Sequence, residues 1–565
     1  PHQSHNSWSV RCNSWGVRTT MPSNWPRLRD REISSGGLIL AVAVFIGIVA
    51  NGRFYSAALT ALGSSPWLWP FYISLFGSFV ALLVLILSAV CHRALVKPVL
   101  IAFLLISALV SYFAIAYGTV VDEEMIANAL QTDGAEAGDL VSPAMLTWIG
   151  LVGVLPTFTV WRAKLIFPDW RTETVARLKL AGAAGTVLVG SVVAFSGHYA
   201  GLLRFHGEVT NQAVPTYALL SAIRFAARSA PKTKHQHIEL GTDAAIPPGD
   251  RNHELVIMVV GETLRADHFG LNGYARDTTP QLRSRKVVNF PDFWSCGTAT
   301  AISVPCMFSN LGQAKFNTTT AATFDNALDI LARAGVNVLW RDNNSSSKGV
   351  ADRVTYQDFK KPPLNPMCED GECRDEGMLA GLQDWINAQQ GDMLIVLHQM
   401  GNHGPAYYKR YPKSFEKFTP VCSTSDLGSC TGEELNNTYD NAVLYTDYFL
   451  SKVIDLLKAN DHNYETAMFY VSDHGESLGE HGLYLHGAPY AFAPDTQKHV
   501  PAVMWLGQGI KKDIVMASVA DRSLHRWSHD NVFSTLLGFF EVTTVAYNSK
   551  LDILERTHIE TSSQN

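Results

Sequence analysis

Two short stretches of this chain carry side chains suited to holding a catalytic metal. Val259-Val260-Gly261-Glu262-Thr263 ends an apolar run, Leu255 to Val260, in a carboxylate. Val471-Ser472-Asp473-His474-Gly475-Glu476-Ser477 ends a second run, Ala467 to Val471, in a carboxylate and an adjacent imidazole. Carboxylate oxygens and neutral imidazole are zinc-type ligands. Both runs read as buried strands, and open α/β sheets bind ligands beyond the carboxyl ends of their strands. Three such ligands leave a zinc position open for chemistry. Asp-His-Gly alone is equally well a loop turn with a surface His. The second strand-end acid, and a hydroxyl-rich segment between the two motifs, favour a metal site. That segment is Ser295-Cys296-Gly297-Thr298-Ala299-Thr300-Ala301-Ile302-Ser303-Val304-Pro305-Cys306. A Thr hydroxyl is a weak nucleophile that needs activation, and zinc activates a bound oxygen by lowering its pKa. Thr298 and Thr300 compete for the role. The local alternative is a helix N-cap, and the two roles coexist, because a helix N-terminus also favours phosphate.

The elements that position these residues divide the chain. Hydrophobic residues make up 47% of the 565 and charged residues 17%, with a net charge of -6. That charge is too mild to point to nucleic acid. The apolar excess concentrates before residue 202, in five stretches near Leu38–Leu62, Trp67–Val90, Val99–Val121, Ala144–Val160 and Leu180–Leu202. Each is close to the about 20 residues that cross a bilayer core. The first is interrupted by Asn51 and Arg53, and Arg53 is expected to snorkel to the interface. Arg27, Arg29 and Arg31 precede the first stretch; His92, Arg93 and Lys97 follow the second; Arg162, Lys164, Arg171, Arg177 and Lys179 follow the fourth. The alternate loops hold no Lys or Arg, and the third-to-fourth loop carries Asp122, Glu123, Glu124, Asp133, Glu136 and Asp139. Basic loops stay in the cytoplasm, so the N-terminus is inside and everything after Leu202 is outside.

Cysteine usage agrees with that placement. Of 8 Cys, six lie after Leu202, as short-range neighbours Cys296 and Cys306, Cys368 and Cys373, Cys422 and Cys430. An exported compartment favours disulfides, and nearest-neighbour pairing is the simplest of several connectivities. Cys12 and Cys91 are expected to be free thiols. Ala218 to Ala227 has helical amphipathic spacing, fitting either a helix on the membrane surface or a plain linker helix. Pro231 to Asp250 reads as a linker. Strands are expected at Leu255–Val260, Val336–Trp340, Met393–His398, Met468–Val471 and Ala502–Leu506. Helices are expected at Thr323–Ala334, Met378–Ala388 and Asn436–Leu457. Such alternation predicts an α/β domain on a largely parallel sheet. Asn128, Thr132 and Glu136, spaced by four, would share one face of a helix, which is otherwise a solvated polar face.

Five segments occur in one order: Gly261-Glu262-Thr263, Ser295 to Thr300, Trp340-Arg341-Asp342-Asn343-Asn344-Ser345, His398 to Pro405, and Ser472 to Glu480. On these segments and the membrane pattern, the chain resembles the lipid A phosphoethanolamine transferases. These are membrane enzymes of the alkaline phosphatase/sulfatase superfamily, and the resemblance covers nearly everything after Pro22. It implies Thr300 as nucleophile and Glu262, Thr300, Asp473 and His474 as zinc ligands. It implies that Ser345, Lys348, His403 and His486 hold the phosphoethanolamine group, with Asn128, Thr132 and Glu136 near the headgroup. It also implies the nearest-neighbour disulfides. A second, weaker zinc between His403 and His486 is an open alternative. Neither Cys296 nor Cys306 stands in the C/S-x-P-x-R setting of a sulfatase.

The fold implied is a transmembrane domain of five helices followed by an alkaline phosphatase/sulfatase-like α/β domain. Residues 1–35 form a cytoplasmic tail, 36–203 the membrane domain, 204–250 an amphipathic bridging helix and linker, 251–550 the zinc-dependent catalytic domain, and 551–565 a C-terminal tail. The chain begins without Met, and with Met21 as an alternative start the first residues are expected to be a start-site artefact. The location implied is the inner membrane of a Gram-negative cell, with the catalytic domain in the periplasm and the chain a monomer. The donor implied is phosphatidylethanolamine and the acceptor lipid A, a change that weakens binding of polymyxin-type cationic peptides by lowering surface charge. The alternatives are another acceptor (a core sugar, Kdo or a periplasmic glucan) and a non-catalytic scaffold of the same fold. Reporter fusions after Leu202 test the topology: only a reporter that works outside the cytoplasm should be active there, and cytoplasmic activity would overturn the count of five spans.

Overall fold

The computed structural model describes residues 32–132, 134–229, 237–248, 252–369 and 371–556. The basic residues before Ser34, Cys12, most of the linker from Pro231 and the end of the C-terminal tail lie outside that set. Among the described residues, four helices are long and apolar enough to span a membrane: Pro66–Val90, Val96–Tyr117, Pro143–Arg162 and Trp170–Ala194. Ser35–Val49 and Gly52–Leu62 form a pair bent by 55° that makes a fifth span when counted as one. The last helix starts earlier than its apolar stretch. Asp169 caps it by accepting from the Arg171 and Thr172 N–H groups at 3.1 Å, so the polar residues before Leu180 are helical too. It ends before Phe195, and Ser196–Phe205 is a separate helix.

Asn51 accounts for the bend. It is fully buried, its Nδ2 donates to Ile46 O at 3.0 Å and to Val214 O at 2.8 Å, and its Oδ1 accepts from Val214 N at 2.9 Å. A side chain inserted into the helical ladder in this way is a recognised cause of a kink. Arg53 stands near the start of the second half of that pair. Its guanidinium crosses to the other domain and donates to Gly482 O at 3.1 Å. Two further contacts fasten the domains: Tyr484 N donates to Tyr117 O at 2.8 Å, and Asp139 accepts from Lys409 and Arg410.

The second domain is built on eight strands: β1 (Glu254–Gly261), β2 (Val288–Trp294), β3 (Asn337–Asp342), β4 (Thr355–Asp358), β5 (Met393–His398), β6 (Glu465–Ser472), β7 (His499–Leu506) and β8 (Trp527–Ser528). Their order is β8-β2-β7-β6-β1-β5-β3-β4, and only β7 runs against the rest. Along β1, Val256, Met258 and Val260 enter one core, whereas Leu255, Ile257 and Val259 enter the other. Helices Ala327–Arg333 and Val532–Phe539 cover the first face, and Gly432–Asn460 covers the second. Burial on both faces explains why these strands read as continuous apolar runs.

Register places the strand ends level. Ser472 pairs with Gly261, Val260 with His398, and His398 with Asp342. The residues that follow all four strands therefore emerge at one edge. The sequence reading passed over β2, β4 and β8. β2 contains Asn289, Pro291 and Asp292, and the ladder to β7 is irregular between Val500 and Ala502, where a strand Pro is tolerated. β4 is a polar edge strand, and β8 has two residues. Helix limits also differ. Met378–Ala388 is a 3-10 turn, Asp375–Leu379, and a helix, Leu382–Ala388, separated at Gly381, whose φ of 63° is left-handed. Thr323–Ala334 shortens to Ala327–Arg333 behind an Asn326 capping box, Asn436–Leu457 lengthens to Gly432–Asn460 behind a Thr431 capping box, and Ala218–Ala227 extends to Thr216–Ser229.

The Asn51 bonds yield a test of the bend. Asn51→Leu leaves the Val214 N–H and C=O without those partners, at roughly 1–3 kcal/mol per buried orphan. The detergent-solubilised variant should melt at lower temperature than wild type, and an unchanged melting curve would mean that Asn51 does not hold the break.

Candidate functional site

The level strand ends deliver the site. β1 is followed by Glu262, and β6 by Asp473 and His474. These three, all buried, each offer a ligand atom within 4.8 Å of the others. Helix Thr300–Met307 follows β2 and brings Thr300 as its first residue. Thr300 Oγ1 lies 3.2 Å from Glu262 Oε2 and 3.2 Å from His474 Nε2. His474 Nε2 lies 3.2 Å from Asp473 Oδ2 and 3.5 Å from Glu262 Oε1. The His474 Nδ1 sits 2.9 Å from Gly475 O, a contact only an N–H can satisfy. The Nε2 lone pair therefore faces the carboxylates. Two buried carboxylates, an imidazole lone pair and a hydroxyl oxygen at these separations repel one another, and a divalent cation among them reverses that. The residues fit a metal.

Neighbours hold these groups in place. Asn344 Nδ2 donates to Glu262 Oε2 at 2.7 Å and to Gln399 O at 2.8 Å. Asp473 Oδ1 accepts from His474 N at 2.7 Å and Thr263 N at 3.2 Å. Thr263 has φ 51°, a left-handed conformation costing a β-branched residue of order 1–3 kcal/mol. Tyr439 OH donates to its carbonyl at 2.5 Å and helps to hold it there. Gly401, φ 51°, has no alternative: a Cβ there would sit 2.8 Å from Glu262 O. Burial pushes the Asp473 carboxyl up, and that of Glu476 further.

The two threonines separate. Thr300 faces the acids and the imidazole. Thr298 Oγ1 instead donates to Ala488 O at 2.6 Å, and Gly487 N donates to Thr298 O at 2.7 Å. Thr298 thus anchors the loop that carries His486. Ala299, not a hydroxyl residue, occupies the N-cap position. Cys296 is bonded to Cys306, as Cys368 is to Cys373 and Cys422 to Cys430, while Cys91 is free and buried.

Beside this cluster Glu262, His403 and His486 form a second group whose ligand atoms lie within 4.8 Å of one another. The His474 and His486 rings are 4.3 Å apart and the His403 and His486 rings 5.3 Å apart. Lys348 Nζ donates to Ser345 Oγ at 2.5 Å. Asn128 and Thr132 line a cavity of 340 Å³ together with His403, His486 and apolar Leu109, Val110 and Phe113. They do not share a helix face with Glu136. Helix Glu123–Gln131 ends before Thr132, whose backbone is extended, and a separate helix spans Gly134–Leu140. The Glu136 side chain lies outside the described residues.

Three supporting residues escaped the sequence reading. Asn344 and Glu476 stand inside motifs already singled out. His529 has no local signal. It is fully buried, its Nδ1 accepts from Cys296 N at 3.1 Å, and its Nε2 donates to Ser472 O at 3.0 Å. It therefore ties the loop before Thr300 to the end of β6.

Burial holds the His529 imidazole neutral, its pKa lowered from 6.5 to about 4. Above the unfolded value both states are neutral and the contribution is complete. As pH falls from 6.5 toward 4 the unfolded chain protonates first, and about 3 kcal/mol is lost across that window. Melting temperature measured against pH should fall there in wild type and fall less in His529→Gln; parallel curves would exclude His529 as the source.

The comparisons agree with this architecture. A sulfatase family description matches residues 254–542, and one for phosphoethanolamine transferase EptA/EptB matches residues 79–230. The chain is 44% identical over 529 residues to phosphatidylethanolamine transferase Mcr-1 of Escherichia coli, covering 91% of this chain and 96% of that one. It is 40% identical over 533 residues to phosphoethanolamine transferase EptA of Escherichia coli (strain K12), covering 92% and 96%. The integral membrane lipooligosaccharide phosphoethanolamine transferase A (EptA) from Neisseria meningitidis superposes with a TM-score of 0.89 at 36% identity, over 93% of this chain and 99% of that one. Membrane helices, sulfatase-like sheet and sequence match along nearly the whole length, and the chain belongs to the phosphoethanolamine transferase family.

Proposed function

We propose that this chain moves phosphoethanolamine from phosphatidylethanolamine to lipid A through a covalent phosphoethanolamine–threonine intermediate on Thr300. The observation that carries the reading is one hydroxyl, Thr300 Oγ1, 3.2–3.3 Å from two buried ligand-type side chains. The cluster opens toward an apolar cavity walled by a membrane helix. A bound lipid presents its phosphate to the cluster while its tails stay in that cavity. By the same reading the helices lie in the inner membrane of a Gram-negative cell and the catalytic domain in the periplasm. One chain carries every group involved, so a monomer suffices.

Glu262, Thr300, Asp473 and His474 are the residues that would hold zinc, whose chemistry is to lower the pKa of the threonine oxygen and to neutralise phosphoryl charge. Thr300 Oγ attacks phosphorus and the diacylglycerol oxygen leaves. Lys348 and Ser345 bind phosphoryl oxygens, where a cation and a hydroxyl stabilise developing charge. His403 or His486 gives the leaving alcohol its proton. Asn128 and Thr132 contact the headgroup, with Glu136 assigned by resemblance. The Glu262–His403–His486 group would take a second, weaker zinc. Adding an aminoethyl cation to lipid A lowers surface charge and with it polymyxin binding. A different acceptor keeps all these roles, and mass spectrometry of lipid A from cells with and without the chain decides between them.

The nucleophile has a direct test. After incubation with headgroup-labelled donor, intact-protein mass spectrometry should show one phosphoethanolamine on the peptide containing Thr300. Thr300→Ala should fold yet transfer nothing, whereas Thr298→Ala keeps appreciable activity. Transfer by Thr300→Ala would exclude the covalent route. Glu262→Ala and Asp473→Ala should lose zinc as well as activity, because each removes a ligand. Lys348→Ala should keep near-normal zinc and transfer poorly, and unchanged turnover there would remove Lys348 from the mechanism.

A further inference from the structure

In-line chemistry tells apart the cavities that surround Thr300. At phosphorus, the attacking and leaving oxygens lie roughly in line. When Thr300 Oγ attacks, diacylglycerol departs on the far side. When the group is passed on, Thr300 Oγ is the leaving atom, so the acceptor must come in from the side that diacylglycerol vacated. On the transfer reading above, that is the side of His403 and His486, one of which protonates the departing alcohol. One cavity, of 360 Å³, is lined by Ala301, Pro305, Ser309, Thr319 and Lys348. Ala301 and Pro305 put it on the nucleophile's own helix, away from the two histidines. The other, of 340 Å³, is lined by Asn343, Lys360, Lys361, Glu372, His403 and Arg410. It shares His403 with the apolar cavity.

We propose that this second cavity binds the phosphate-bearing sugar of the acceptor, an inference that rests on the transfer reading above. The wall is preformed. Arg410 is buried and donates to His403 O at 2.7 Å, to Glu372 Oε2 at 2.7 Å and to Asp139 Oδ2 at 2.8 Å. Its charge is matched by those two carboxylates, and it fixes His403 from behind. Lys361 is the exposed cation of the lining, and beside it Lys360, half-buried, donates from Nζ to Ser345 O at 3.2 Å. Gly134 and Asp139, from the segment between the third and fourth spans, complete the lining. The mouth thus lies against the membrane domain, where the sugar of a bilayer-anchored acceptor sits. An oxygen of the acceptor's singly protonated phosphate forms the new P–O bond and the bond from phosphorus to Thr300 Oγ breaks. The electron pair returns to Thr300 Oγ together with the acceptor's proton. The product is a diphosphate-linked phosphoethanolamine, and the hydroxyl is restored.

The test separates charging from discharge on the full-length protein. Detergent-solubilised enzyme is charged with headgroup-labelled phosphatidylethanolamine and then chased with bis-phosphorylated lipid A in mixed micelles. Lys361→Glu should charge at the wild-type rate. Its discharge should slow roughly tenfold or more at low salt and lose most of its salt dependence, as expected for a surface charge that steers a charged partner. Thr319→Trp, in the cavity behind the nucleophile, should charge and discharge normally. Wild-type discharge in Lys361→Glu would overturn the proposal. So would loss of charging and discharge to the same degree, since the cavity would then serve the donor. Blocked discharge in Thr319→Trp would put the acceptor behind the nucleophile helix instead. If charged wild type never passes the label to lipid A, the transfer reading fails and this assignment falls with it.

Discussion

Two buried carboxylates, Glu262 and Asp473, are brought within 4.8 Å of each other, and the rest of the domain is arranged around that meeting. Moving a charge out of water costs several kcal/mol even after relaxation, so the meeting persists only where ligands and hydrogen bonds compensate. The sheet creates the contact. β1 and β6 are neighbours, and their pairing runs without a slip from Glu465↔Glu254 to Ser472↔Gly261. One residue beyond that ladder, each chain turns out its acid. A slip of one residue would turn the apolar residues of a strand to the opposite face, which two packed cores forbid. The cores that stabilise the fold thereby fix the acids to each other.

Thr300 is held to the same frame by different means. β2 joins the sheet through β7, two strands away from β1, so pairing alone leaves Thr300 free to drift. The Cys296–Cys306 disulfide closes the loop and the first turns of its helix into one unit. His529 bonds that unit to Ser472 O beside Asp473. Thr298 bonds it to the loop bearing His486. The Thr298 hydroxyl is therefore structural, and its bond keeps Thr300 and His486 in step.

Much of this was legible from residue order, and the failures have physical reasons. β1, β5 and β6 announce themselves because both faces are buried and a ligand or loop motif follows directly. β4 escapes because an edge strand needs apolar residues on neither face, and β2 because its Pro lies at an irregular ladder. Thr298 and Thr300 cannot be ranked by spacing, since their difference is which neighbouring loop each hydroxyl meets. The Asn128–Thr132–Glu136 pattern misleads because equal spacing implies one face only while the helix continues, and this helix ends at Gln131. His529 leaves no trace, because its partners are backbone atoms that every residue type possesses.

The membrane domain is more than an anchor for this chemistry. Asn51 bends the first span, and Arg53, just past the bend, reaches Gly482 O in the loop between Asp473 and His486. Asp139, between the third and fourth spans, accepts from Arg410, which holds the His403 carbonyl. The loops that carry His403 and His486 are thus both fastened to membrane segments. A lipid headgroup reaches the site at a depth set by the bilayer, so the groups that receive it must keep a fixed height above the bilayer. Bonds from those segments to the histidine loops supply that reference, which a catalytic domain on a flexible tether would lack. A buried polar residue such as Asn51 within an apolar helical region costs free energy unless paired, and its bonds to Ile46 O and Val214 set the bend that turns Arg53 toward the Gly482 loop.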